Sequence, residues 1–593
     1  MKFCLGPGCA ARLICAALLI APAFAADVPE SVKDREQRRI RTIEKIAPSV
    51  VCVMPASGAG GGSGVLISAD GYAISNYHVT SGSGDFMKCG LNDGKLYDAV
   101  IVGIDPTGDV ALIKLLGRDD FPFCEPGDSD AVRMGDEVVA LGNPFLLAGD
   151  FTPTVTYGIV SGVRRYQYPA GTFLEYTDCI QIDASINPGN SGGPLFDIRG
   201  RWIGINGRAS FEKRGRINTG AAYAISVRQV LLFVEHLRSG RIVDHARTEF
   251  TVETGDNGVV EFSNVSQLSE PWRRGVRSGD ELVSFAGRSL TSANDFKNVL
   301  GILPEGTRVP MTWRNDEGIH RTTVRLLPLH GFEEAPELPG DRQPQPKPGD
   351  DDEQKPQPGR RSQKPPAPVP AQWKHLFRKE KGYANAYFND ENTKQLLKPM
   401  REAVPAELTK VDTQWVFAVS SNEAIGELGV SPKAAWLQWE GGRSSLQPSD
   451  DITQDNEPDQ FRGVLTALLQ LRKFFRTEEG QFSDSFYHGD EHLAPSGAHV
   501  HVFVTKDDLI KCRWYFVEGT PLPIGLDVQS GAGEDEARLR FDAWKTDSSV
   551  PFPSRIGVVD PDREATDWMD VSSIRVGAAN QNASLPARGR TQS

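Results

Sequence analysis

Long apolar runs are what this sequence most plainly lacks. The longest, "LICAALLIAPAFA" near the N-terminus, is only about two-thirds of the ~20 residues a membrane-spanning helix needs, so no span is expected in the mature chain. Cysteine is scarce as well: of eight, three (Cys4, Cys9, Cys15) fall in this leader-like stretch. The other five, Cys52, Cys89, Cys124, Cys179 and Cys512, are scattered and odd in number, which excludes a disulfide scaffold. Most sit in apolar strand-like runs such as "VVCV". Buried free thiols are therefore expected, and the sequence does not choose a partner for any single bridge. Excess positive charge is also missing, since 65 Lys and Arg face 78 Asp and Glu for a net charge of −13. Such a balance gives no overall attraction to nucleic acid or an anionic membrane, and neither is expected as a partner.

What is present divides the chain. Lys2 and Arg12 precede the apolar stretch, and Ala23-Phe24-Ala25 forms a small-residue cleavage site, so residues 1–25 read as a signal peptide. Export follows, to the periplasm or outside the cell. A short amphipathic helix is expected over 28–47, ending at Pro48. From Val50 to about Ser226, short β-branched runs ("GVLIS", "YAISNY", "DVALIKL", "TVTYGIVSGV") alternate with Gly, Asp and Pro turns, the texture of an all-β barrel or sandwich. A helix near Val227–Leu237 closes this domain, bounded at 26–240. Residues 241–330 form a smaller β-rich unit, and 331–372 are proline-dense and charged, an extended solvated linker. Residues 373–575 read as an α+β domain with an antiparallel sheet and one helix bearing Phe461, Val464, Leu465, Leu468, Leu471 and Phe475 on a stripe. A frayed tail, 576–593, ends the chain.

One glycine-rich stretch, "SINPGNSGGPLFD", isolates Ser191. It fits the G-x-S-x-G elbow of an α/β-hydrolase, the nucleophile loop of a double-barrel protease, or a plain turn. A serine hydroxyl needs a base, and the β-rich region holds a single histidine, His78, in "YAISNYHVT". Asp109 opens an apolar strand in "GIDPTGDVALIKL", whereas Asp105 precedes a proline and reads as a turn residue. The order His78, Asp109, Ser191 is that of chymotrypsin-like barrels and not of α/β-hydrolases. The backbone N–H groups of Gly189 and Ser191 are then the expected oxyanion hole.

These residues lie in stretches that resemble the HtrA/Deg family of exported serine endoproteases. "GSGVLISADGYAISNYHV", "DPTGDVALIKL", "GDSDAVRMGDEVVALGNP", "TVTYGIVSG" and "IQIDASINPGNSGGPLFD" look like its signatures in family order, over residues 40–330. The resemblance implies a mainly β fold with a chymotrypsin-like double barrel, the triad His78, Asp109 and Ser191, no metal and no cofactor. It also implies unfolded or damaged envelope proteins as substrates, and a homotrimer. Residues 241–330 resemble the PDZ domain that follows the protease, with a C-terminal peptide as the implied ligand.

There are departures from the family pattern. Only "MPASGAGGGSG" stands where the heat-shock member carries a long regulatory loop. The S1 wall reads "GAAYAIS", giving Ala221, Ala222 and Tyr223, and Ser185 stands where the trypsin-like branch has an acid. A small apolar P1 residue is expected. Where relatives carry the carboxylate-binding loop, "ARTEFTV" places Arg247, Thr248 and Glu249, and Glu249 would repel a peptide terminus. The rival reading is a peptide-binding scaffold with a latent triad. In the C-terminal domain, His488, His492, His499 and His501 cluster. His499 and His501 share a strand face, but polar alternation on an exposed face explains them more simply than a metal does.

Overall fold

The computed structural model describes residues 29–579 apart from 57–60, 144–148, 168–173, 212–217, 333, 335, 337–366, 422–424, 440–441, 448–462, 477–481, 494–495, 508–509, 532–534 and 547. The stretch read as a signal peptide, most of the proline-rich linker and residues 580–593 thus lie outside the described residues, whereas 576–578, expected in the frayed tail, end the strand Ala565–Ala578 and pair with Thr413–Trp415. Helix α1 (Glu30–Ile46) is the only described element of the first unit, and its charged sequence buries only Ile46.

Two closed six-stranded barrels follow. The first joins β1 (Val50–Pro55), β2 (Gly62–Leu66), β3 (Tyr72–Ser75), β4 (Phe86–Gly90), β5 (Leu96–Asp105) and β6 (Val110–Leu115) in the order β1-β2-β3-β6-β5-β4. The second joins β7 (Glu137–Gly142), β8 (Thr154–Gln167), β9 (Tyr176–Ile182), β10 (Pro194–Asp197), β11 (Trp202–Phe211) and β12 (Asn218–Ser226) in the order β10-β11-β12-β9-β8-β7. Closure pairs every strand on both sides, so the β-branched runs leave no open edge. Val51, Val53, Leu66, Ile101 and Ile113 fill the first barrel; Val138, Ile180, Ile182 and Leu195 fill the second. The fold is a chymotrypsin-like double barrel. The five cysteines are buried and free. Cys89 stands opposite Val53, and Cys52 opposite Gly90, so strand alternation sends the two thiols to opposite faces.

Residues beyond the second barrel build a six-stranded antiparallel sheet: Phe250–Thr254, Val260–Val265, Glu281–Phe285, Arg308–Asn315 and Gly318–Arg325 in that order, with the short Arg288–Ser289 paired beside Glu281–Phe285. Its hairpin after Phe285 turns through Ala286 and Gly287, both at positive φ (48° and 80°), a geometry two-residue hairpins favour. A helix, Ala293–Leu300, is capped by Ser292, whose Oγ accepts from Asp295 N at 3.1 Å. Strand, turn, strand and helix follow in that order around a core of Phe250, Phe262, Phe285 and Phe296.

The C-terminal region is one eleven-stranded antiparallel sheet with a helix, Val464–Arg476, against it. Ten of that helix's thirteen residues are buried, far more than one stripe, and core side chains from most of the sheet's strands pack with it. Burial on nearly all sides marks a helix enclosed by its sheet.

The described ends of the linker and the C-terminal domain are not free of the rest: from Ala47 onward the described residues cluster as one compact unit. Gly331 N donates to Asp244 at 2.7 Å, Phe332 packs against the first barrel's core, and Trp373 Nε1 donates to Asp98 at 2.8 Å. Arg325, on the small sheet, pairs with Asp527 and Glu536 at 2.6 and 3.0 Å, and Arg308 reaches Glu536 at 2.8 Å. These ions are almost fully buried, so removing one side would strand charges away from water.

Candidate active site

The first barrel supplies an acid and an imidazole. Helix α2 (Tyr77–Thr80) follows β3 after a single residue, Asn76, and so holds His78 at the barrel's rim. The loop from β5 to β6 is tight, and its last residue, Asp109, takes a positive φ of 58°, which Asp tolerates better than most residues. Asp109 is fully buried and fully occupied. Its main-chain oxygen accepts from Asn76 Nδ2 at 2.9 Å and Tyr77 N at 3.2 Å. Oδ1 accepts from His78 N at 3.0 Å, and Oδ2 lies 2.7 Å from His78 Nδ1. Oδ2 also accepts from the hydroxyl of Tyr176 at 2.5 Å, a side chain brought from β9 of the second barrel.

With its Nδ1 proton on Asp109, neutral His78 carries its lone pair on Nε2. Burial would lower the imidazole's pKa, but the Asp109 charge and hydrogen bond outweigh it, and the net shift is upward. The ring stays about one-third exposed, at 32%.

Ser191 lies in the loop between β9 and β10. Tight turns fix that loop, with Asn190 N on Asn187 O at 2.9 Å and Gly193 N on Asn190 O at 3.0 Å. Gly192, at φ 84°, passes so close that a Cβ there would stand 2.2 Å from Ser63 O. Ser63, on β2, latches the loop. Its N–H donates to Ser191 O at 2.8 Å and its hydroxyl to Gly189 O at 2.6 Å. Among the described residues, the N–H groups of Gly189 and Ser191 donate to no protein acceptor. Ser191 Oγ donates to Gly207 O at 3.3 Å instead of to His78.

Of the residues expected to line S1, Ser185 is exposed. Ala222 packs in the second barrel's core with Ile180 and Ile182, which puts its methyl inward, and alternation turns Ala221 and Tyr223 to the other face of β12. In the C-terminal sheet, His499 Nε2 and His501 Nδ1 both approach Asp490, at 3.4 and 2.7 Å, and His488 is buried with Nδ1 against Arg241 at 2.8 Å. The exposed-face expectation therefore fails for His488. Among the described residues, no group of three such side chains is placed to hold a metal ion.

Sequence reasoning missed Tyr176, Ser63 and Asn76. A tyrosine at the head of an apolar strand reads as core, and a serine within "GGGSG" reads as loop filler. It also passed over Asp105, which is more than a turn residue. Asp105 accepts from Thr107 N and Gly108 N at 3.1 and 2.8 Å, and it pairs with His245, a residue 140 positions away.

Comparison with known proteins agrees with this architecture. Residues 62–205, which contain His78, Asp109 and Ser191, match the family described as trypsin-like peptidase domain. A probable periplasmic serine endoprotease DegP-like of Marinomonas sp. is 35% identical over 259 residues, covering 42% of this chain and 53% of the relative. The protein of the same description from Chlamydia trachomatis is 33% identical over 268 residues, covering 42% and 50%. The chain thus spans about half the length of the curated relatives it matches. A solved structure described as HtrA-type protease AlgW with tripeptide aligns at 28% identity and a TM-score of 0.40, over 49% of this chain and 96% of that one. With the double barrel and the Asp-His and Ser-loop geometry in place, residues 62–205 match a trypsin-like peptidase domain, and the matched stretch is similar to serine endoproteases described as DegP-like.

Proposed function

We propose that the protein is an exported serine endopeptidase acting through an acyl-enzyme. Ser191 is the nucleophile, His78 the general base and then acid, and Asp109 holds the imidazole in the tautomer that presents Nε2. As Ser191 Oγ attacks a peptide carbonyl, its proton passes to His78 Nε2 and the imidazolium is stabilised by the buried Asp109. The tetrahedral oxyanion is received by the Gly189 and Ser191 N–H groups, and His78 returns the proton to the leaving amine. The observation that carries this reading is the Asp109 carboxylate, engaged at both oxygens with His78, with Gly192 of the Ser191 loop so close to Asn76, two residues before His78, that a Cβ there would stand 3.0 Å from its N.

The substrates are unfolded or damaged envelope proteins with a small apolar P1 residue beside Ala221 and Tyr223. The assembly is a homotrimer in the periplasm or outside the cell; among the described residues no helix is long and apolar enough to cross a membrane. The edge strand Phe250–Thr254, paired on one side only, is where a C-terminal peptide would add to the PDZ-like sheet, with Glu249 opposing its carboxylate.

One observation favours a second reading, a peptide-binding scaffold with a latent triad: the Ser191 hydroxyl points to Gly207 O and leaves His78 Nε2 without it. Digestion of unfolded casein separates the two. The protease reading predicts turnover by the wild type and none above background by a folded Ser191→Ala. No turnover by the folded wild type supports the scaffold.

A further inference from the structure

His245 is buried, with 2% of its side chain exposed, and both ring nitrogens meet acceptors. Nε2 lies 3.0 and 2.9 Å from the two oxygens of Asp105, and Nδ1 lies 2.6 Å from the carbonyl of Gly301. A carboxylate and a carbonyl can only accept, so the ring satisfies both only by donating from both nitrogens, as an imidazolium. Phe233 stacks on it at 4.5 Å between centroids.

This cation stands immediately behind the proposed catalytic acid. Asp105 holds the N–H groups of Thr107 and Gly108, and Gly108 directly precedes Asp109. Gly108 lies so close that a Cβ there would stand 2.3 Å from Asp105 Oδ2 and 2.9 Å from His245 Nε2. The far end of the contact reaches the acid's other support. Gly301 caps the PDZ-like helix, and a Cβ there would meet Thr177 at 2.4 Å, next to Tyr176. Two more contacts fasten the same strand: Asn298 Oδ1 accepts from Asp178 N at 2.9 Å, and Arg288 grips both Asp178 oxygens at 3.0 Å. Asp109 thus has two props, the 105–109 loop and Tyr176, and one element of the PDZ-like unit holds both.

We propose that His245 is a positioning residue for proteolysis: bridging Asp105 to Gly301, it locks the loop that aims Asp109 at His78. The PDZ-like unit is in this respect a structural part of the proteolytic site. The inference rests on the serine-peptidase reading, which casein turnover by the wild type and its loss in Ser191→Ala test independently.

The test compares full-length wild type with His245→Gln and Asp105→Asn on one peptide substrate, after thermal melts have established folding. Glutamine can donate to only one of the two acceptors at a time. Asparagine keeps the shape of Asp105 and an acceptor for Thr107 and Gly108, but lacks the charge. Small misplacements of a reacting group cost up to about 100-fold. Each variant is therefore expected to lose roughly tenfold or more in kcat with KM nearly unchanged, and the double variant to lose no more than the worse single one. The acid limb of the kcat/KM profile should also move to lower pH, because His78 loses part of its Asp109 contact; a merely structural contact would leave it in place. If His245→Gln does not fold, Asp105→Asn decides by the same readings. Wild-type kcat and an unmoved limb in the folded variants, with an active wild type, would overturn the proposal.

Discussion

Two carboxylates four residues apart, Asp105 and Asp109, each hold a histidine, and the two pairs are built for opposite ends. Both acids are fully buried and both hydrogen bonds are short. The difference lies at the far nitrogen. His245 gives its second nitrogen to Gly301 O inside the protein, whereas His78 leaves Nε2 without a protein partner among the described residues, on a ring about one-third exposed. An Asp-His pair closed at both ends stores a fixed charge; one open at Nε2 can exchange a proton. Burial of the acid is therefore no guide to which pair does chemistry, and the sequence, which offers both acids in "DPTGD", cannot display that second nitrogen.

The comparison breaks most easily at the acids. Asp109→Asn should cost about 10⁴-fold in kcat/KM, or roughly 5 kcal/mol of barrier, since the amide favours the wrong imidazole tautomer. Asp105→Asn should cost only the order of tenfold given above. Equal losses, or the reverse order, measured on one peptide at one pH, would show that the open and closed pairs have been confused.

Tyr176→Phe removes the phenol that donates to Asp109 Oδ2. A loss of roughly three- to tenfold in kcat is expected, the weight of part of a charge-assisted hydrogen bond. A loss as large as that of Asp109→Asn would make the phenol more than a prop.

The smallest effect is a shift along the pH axis. The base must be neutral to work, and its pKa is raised, so kcat/KM should fall as pH drops through a value above the ordinary ~6.5 of histidine. In Asp109→Asn the raising charge is gone while burial remains, so the residual activity should hold to lower pH. An acid limb unchanged between the two would sever His78 from Asp109.

How much of this the sequence displays follows from range. The double barrel is legible because short β-branched runs with Gly and Asp turns carry their own punctuation. His78, Asp109 and Ser191 are legible as types in order. His245 is not, because nothing local to "VDHART" points to a loop 140 residues earlier. The C-terminal sheet misleads for a related reason. Arg538 and Arg540 alternate with apolar residues in "ARLRFDAW" as a solvated face would, yet they are 1% and 8% exposed. Arg538 is satisfied by Glu564 at 3.1 Å and Arg540 by Asp527 at 2.7 Å. Alternation gives the two faces of a strand; it does not say which face meets water.

The most direct test of the open pair is covalent. A fluorophosphonate reacts only with a serine whose proton can be taken, so intact-mass analysis and peptide mapping of the full-length protein read the chemistry itself. The account predicts one adduct per chain, mapped to Ser191 and lost in a folded His78→Ala. An unlabelled wild type, an adduct on another residue, or labelling that survives the loss of His78 would contradict it.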